Sequence, residues 1–202
     1  LRNELGLEKV SPLIRQTIQY PSDPNAIEND QNENENEIKD VQLIGIDPIS
    51  ETEVRPWQEG MIDSLSGDKL QRLLTRNNTV LVAQQFLQRH QLNIGDSLPL
   101  LIKNKLAKVT IIGSFNAPEV YQSQINDWII CDINTAQSLL NLQGYLTQID
   151  LNIKASDKET LKKIENTLSE GLQLVKSNEY SNAVAQLSRT FELNLTALSL
   201  LG

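Results

Sequence analysis

The chain holds one histidine, His90, and one cysteine, Cys131, among 202 residues. Nucleophilic catalysis needs a nucleophile with a base in hydrogen-bond reach. A Ser-His-Asp or Cys-His arrangement would have to use His90, and no motif around it or Cys131 supports either. His90 closes a helical stretch, where a cation interacts well with the dipole, so a capping or surface role is expected. Cys131 lies in the apolar run Trp128-Ile129-Ile130-Cys131, so it reads as a small buried hydrophobe. Zinc sites take several Cys or His ligands, more than this chain offers. The phosphate-cradling patterns GxxxxGK[ST] and GxGxxG are absent, so ATP is not bound through such loops. Carboxylates are plentiful, yet none forms a recognisable acid/base pair. Asp47, Asp96 and Asp132 each stand at an element boundary, where turn or cap duty explains them. Trp57 and Trp128 read as core anchors rather than a ligand platform. The expectation is therefore no catalytic, cofactor-binding or metal-binding residue.

The elements that surround these residues follow from periodicity. Between Thr79 and Phe115, Val80–Val82 is a short strand. Phe86, Leu87 and His90 fall at helical spacing. Asn93–Asp96 carries turn chemistry. Leu98, Leu100 and Ile102 alternate, as do Ala107, Val109 and Ile111, which argues for two half-buried strands. Pro99 lacks an N–H, so the first of them is expected at a sheet edge. Upstream, Leu1–Leu7 reads as a helix end, Lys9–Tyr20 as a strand and Val41–Ile46 as another. Ile49–Asp68 reads as irregular and Lys69–Leu74 as a helical turn.

Downstream, Trp128–Cys131 is a strand. Asp132 caps a helix with Ile133, Ala136, Leu139 and Leu140 inward and Gly144 at its end. Thr147–Lys154 alternates with Ile149, Leu151 and Ile153 inward. Ser156 and Glu159 form a capping box. Leu161, Ile164 and Leu168 mark the next helix, Gly171 ends it, and Leu172–Val175 is a strand. This β-α-β-α-β order is compatible with a small open sheet carrying helices on one face. From Tyr180 a long amphipathic helix runs through Val184, Leu187, Phe191, Leu195 and Leu198. It becomes apolar on more faces toward Leu201, which reads either as a C-terminal core helix or as a stalk entering a membrane helix.

The net charge of −8 argues against a nucleic-acid partner. Most of it is local. Asp23, Glu28, Asp30, Glu33, Glu35, Glu37 and Asp40 face only Lys39 between Pro21 and Asp40. That segment is too polar to bury a core and is expected to be a mobile acidic loop over 21–38. A lone cysteine precludes an intrachain disulfide. No run of about 20 apolar residues is present. The chain starts without Met and reads as a fragment excised from between membrane parts.

Four stretches, in order, resemble one family. The Thr79–Phe115 segment resembles the outer-domain pattern of ABC-transporter permeases of the MacB, LolC/LolE and FtsX type, with their MacB-like periplasmic core domain. Leu1-Arg2-Asn3-Glu4-Leu5-Gly6 with Val10-Ser11-Pro12 is similar to the opening of that domain in cyanobacterial-type members. Val41–Pro48 with Glu51 and Arg55, and Phe191–Leu200, resemble two further pieces. The resemblance implies a two-lobed α+β extracytoplasmic domain. A porter-like β-α-β lobe would take residues 1–48 and 117–202, with a stalk helix over 179–202. A small α/β lobe over 49–116 would be inserted into it.

It further implies a non-enzymatic role in the inner (plasma) membrane, with this segment extracytoplasmic or periplasmic. There it would couple ATP hydrolysis by a separate cytoplasmic ATPase to export or extraction of a substrate. No cofactor is expected in this domain, because ATP is used by the partner ATPase subunit. The implied partners are that ATPase, a second permease copy, and a periplasmic adaptor or lipoprotein. Two other readings stand beside it. One is a free-standing soluble binding or adaptor module, with Leu193–Leu201 packed into its own core. The other is a hydrolase with a dispersed site.

Overall fold

Alternating apolar residues set the strands of the computed structural model, which describes residues 7, 9–22, 38–50, 68–116, 125–154 and 156–175. The strands are β1 (Val10–Pro21), β2 (Ile38–Ile46), β3 (Thr79–Ala83), β4 (Ser97–Ile102), β5 (Lys105–Phe115), β6 (Trp128–Asp132) and β7 (Gln148–Leu151). The helices are α1 (Asp68–Thr75), α2 (Gln84–His90), α3 (Ile133–Leu140) and α4 (Lys158–Thr167). The chain divides into two compact units. All seven strands and α1–α3 lie in the unit that spans Leu7–Asn152, while α4 lies in the unit that takes in the residues after it.

The strand order is β2-β6-β3-β5-β4-β1-β7, and β1 also pairs with β2. Six strands therefore close on themselves, with β7 added at the edge of β1. An open sheet with helices on one face is not what forms. The α+β class itself holds, with parallel β2–β6 and β3–β5 pairs beside antiparallel ones.

The ring is not uniform. β1 and β2 pair over nine positions, from Leu13↔Ile46 to Pro21↔Ile38. β4 and β5 pair over six, and β3–β5 and β2–β6 over five each. Only Leu81↔Ile130 and Val82↔Ile129 join β3 to β6. A single pair, Gln19↔Leu101, joins β4 to β1. Two well-knit sub-sheets, β7-β1-β2-β6 and β3-β5-β4, thus meet at two thin seams.

One core spans both. It takes Leu13, Ile14, Ile18 and Tyr20 from β1, Val41, Leu43, Ile44 and Ile46 from β2, and the whole Val80–Ala83 run. Leu98, Leu100, Ile102, Val109, Ile111 and Phe115 join from the other sub-sheet. β3, parallel to β5 and antiparallel to β6, is buried at all five positions.

Several sequence expectations move. β4 is not an edge strand. Pro99 removes a donor only at its own position, and β1 pairs two residues further on, at Leu101. β7 is shorter than Thr147–Lys154, and Ile149 is 44% exposed. Period two sorts side chains by face, but at a sheet edge it does not ensure that the apolar face is covered. Leu172–Val175 forms no strand, and Leu172 and Val175 are exposed. Asn141, at φ 57°, ends α3 instead of Gly144. Gly171 lies in a later turn, and α4 ends at Leu168 in extended conformation. The cap of α4 is Asp157, whose carboxylate accepts from Thr160 N at 3.1 Å, while Glu159 pairs with Lys163 instead of closing a box. Bonds from Thr160 hold the Asp157 carboxyl below its usual range. The expected helix end at 1–6, the acidic-loop residues 23–37, Trp57 and the stalk over 179–202 lie outside the described residues.

Candidate functional site

The residues singled out for chemistry take structural posts. Cys131 is fully buried in β6, and burial, with the neighbouring Asp132 charge, pushes its thiol well above the usual range. A protonated, inaccessible thiol is a poor nucleophile. Asp132 is the N-cap of α3, accepting from Asn134 N at 2.9 Å and Thr135 N at 3.1 Å. Asp132→Ala is expected to lower stability by about 1–2 kcal/mol, with Asp132→Asn retaining most of it, as urea midpoints will show. Asp47 accepts from Ile49 N at 3.1 Å and from Ser50 Oγ at 2.9 Å, beginning the turn after β2. Asp96 accepts from Asn93 N at 2.7 Å, and Gly95 takes φ +104°, which its missing Cβ permits. All three are cap or turn carboxylates, as expected.

His90 ends α2 as a basic residue of its last turn, as expected, and is half-buried. Its ring lies 4.7 Å from Tyr20 and 4.5 Å from Phe86, and Tyr20 and Phe86 are 5.2 Å apart. Burial raises the Tyr20 hydroxyl pKa. This trio links β1 to α2, which belong to different sub-sheets. The preceding residue, Arg89, reaches Asp127 at 2.6 Å, a half-exposed pair before β6. Trp128 packs against the core and carries the Arg15 guanidinium 5.2 Å from its ring centroid. Among the described residues no three His, Cys, Asp or Glu side chains gather to hold a metal ion.

A groove of about 340 Å³ lies along β1, and sequence reasoning missed it. Its lining takes in Gln16–Gln19, the Leu101–Asn104 turn, Asp40, Leu140 and Leu142. Lys103 and Asn104 both have positive φ, 49° and 62°, between the paired Ile102 and Lys105. They form the two-residue hairpin turn that suits the strand twist. Two alternating runs separated by Lys-Asn was the available signal for the turn. The groove needed the β1–β4 pairing, which no local pattern announces. The described residues thus offer packed aromatics, caps and a groove lined by both polar and apolar side chains.

No family model matches the chain. It is 37% identical over 164 residues, 80% of its length, to an uncharacterized ABC transporter permease protein of Mycobacterium tuberculosis. The chain spans only 18% of that protein's length. Among solved structures, the extracellular domain of the noncanonic ABC-type transporter YknZ from Gram-positive bacteria matches with a TM-score of 0.51. Identity there is 13%, with 86% of each chain covered, so it speaks to fold alone. No helix among the described residues is long and apolar enough to cross a membrane, so a membrane setting follows from the relatives. By sequence, and in a fold shared with such an extracellular domain, the chain belongs to the ABC transporter permeases.

Proposed function

We propose that this chain works as the extracytoplasmic domain of a permease that couples ATP hydrolysis by a separate cytoplasmic ATPase to export or extraction of a substrate. The observation that carries the reading is the 37% identity across four-fifths of the chain to an ABC transporter permease. In this reading the domain has no catalysis of its own. It receives movement through membrane helices outside this segment and passes it to a substrate, a second permease copy, or a periplasmic adaptor or lipoprotein. The thin seams support the lobe assignment: β3, β5 and β4 fall in residues 49–116 and form one sub-sheet, while β1, β2, β6 and β7 form the other.

The location can be tested in the full-length permease. Tyr145 is 71% exposed and Cys131 is buried, so Tyr145→Cys adds an accessible thiol over a silent background from this segment. Intact cells treated with a membrane-impermeant maleimide are expected to label Tyr145→Cys and not the parent. Labelling only after the membrane is opened would overturn the reading. Coupling is tested separately, by comparing the ATPase rate of the permease–ATPase complex with and without residues 7–175. An unchanged rate and unchanged transport would remove the coupling role.

A further inference from the structure

The two sub-sheets are held together unevenly around the ring. Among the described residues, their side-chain bonds and ring contacts gather on one helix. From α2, the Phe86 ring meets Tyr20 of β1 at 5.2 Å, and the His90 ring meets it at 4.7 Å. Between these two residues, Arg89 reaches Asp127, just before β6, at 2.6 Å. The same helix is tied to its own half, where Ser114 Oγ of β5 donates to Gln84 Oε1 at 2.6 Å. It also follows β3 with no intervening residue. A seven-residue helix of one half thus grips the other half at two places.

Beyond the single Gln19↔Leu101 pair the opposite holds. Toward Thr17 the halves part and the 340 Å³ groove opens. Its lining comes from both, with Gln16–Gln19 and Asp40 on one side and Leu101–Asn104 on the other. A polar bond crosses it, from Lys103 Nζ to Leu140 O, but at 3.5 Å it is at the limit for a hydrogen bond. Lys103 is exposed, where such a bond contributes little.

The comparison decides which end yields. Aromatic pairs in edge or tilted geometry add to the area they bury. The short Arg89–Asp127 bond is charge-assisted, and it stands beside the two pairs that join β3 to β6. Across the groove there is one long bond. Within each half, ladders of five to nine pairs resist bending, so relative motion is concentrated at the seams.

We propose that the ring works as a clasp. The two sub-sheets turn against each other about α2, and the groove is the mouth that widens and narrows. Opening breaks the Gln19–Leu101 pair and leaves Tyr20 on Phe86. The motion does not depend on the transport reading, and its failure leaves that reading standing.

The test is pulsed electron spin resonance on the 202-residue chain, with nitroxide labels on pairs of cysteines placed at exposed positions. Cys131 is buried and stays unlabelled. Asp40→Cys with Lys105→Cys spans the mouth, and Gln19→Cys with Gln88→Cys spans the pivot. Lys105→Cys with Thr110→Cys lies within one half. The mouth pair is expected to give a distance distribution at least twice as wide as the pair within one half, with the pivot pair as narrow as the latter. A mouth pair no wider than the internal pair would overturn the proposal, because the ring would then be rigid. A pivot pair as wide as the mouth pair would overturn it too, since the halves would be loose rather than hinged. Hydrogen exchange of the unlabelled chain needs no substitution. Leu13 O and Arg15 N bond Thr147 on the side away from β2, so by alternation the Gln19 amide faces β4. It is expected to exchange at least tenfold faster than the amides of Ile18 and Tyr20, which face β2. Equal rates would show a seam as firm as the ladder, and the clasp would fall.

Discussion

Phe86→Ala is expected to lower the unfolding free energy by about 3–5 kcal/mol, the usual cost of deleting a buried aromatic ring. The side chain is fully buried. Its ring stands edge-on to Tyr20 at 5.2 Å and tilted against His90 at 4.5 Å, an arrangement that adds to the area term. Position makes the loss matter more than burial alone. Phe86 sits on α2, directly after β3, and Tyr20 sits on β1, so the contact crosses between sub-sheets that share few strand pairs. Domains of this size are stable by about 5–15 kcal/mol, so the variant is expected to lie near the edge of folding at 37 °C. Urea unfolding followed by circular dichroism measures it, and Phe86→Leu is expected to recover more than half of the loss. A change below about 1 kcal/mol for Phe86→Ala would mean that the aromatic trio does not hold the halves together.

The second large effect is expected at Gly45. A Cβ placed there would stand 2.4 Å from the Ala136 Cβ and 3.3 Å from the Ile14 Cβ. Neither is the end of a flexible side chain, so helix α3 would have to lift off β2. Gly45→Ala is expected to cost about 2–3 kcal/mol, at the upper part of the range for overpacking. Ala136→Gly makes the space, at a cost of about 1 kcal/mol for glycine within a helix. The double variant is expected to be more stable than Gly45→Ala alone, a coupling that a double-mutant cycle in thermal unfolding reads directly. Purely additive losses would show that α3 does not rest on Gly45.

How far the residues announced this structure depends on how local each cause is. β5 was legible because Val109 and Ile111 alternate over a full strand, and both are buried. The cap at Asp132 was legible because a carboxylate before an apolar helical run has one cheap use. The α4 cap was misplaced by one residue because Ser156 and Asp157 both suit that post and only backbone geometry separates them. What no local pattern carried was the pairing of β1 with three other strands. Its register with β2 spans the whole acidic segment, and its single contact with β4 joins residues 82 positions apart. The groove exists only because of that contact, so it was beyond reading from spacing. The absence of a catalytic motif was plain in the residue types. Family membership came from ordered short stretches, because nothing in the chemistry of single side chains points to transport.

The place of β1 in the ring also bears on how the chain reaches this structure during synthesis. β1 and β2 can zip into a hairpin as soon as residue 46 has emerged, with Pro21 already opposite Ile38. The next neighbour of β1, Leu101, arrives later, and the last, Leu151, later still. Until then one flank of β1 is exposed along its length, and exposed strand edges pair readily with other chains. Contacts of such long sequence separation also slow folding, because loop closure must precede them. The nascent chain therefore carries an exposed strand edge from the completion of β1 until β7 is made, and is open to misassembly over that stretch.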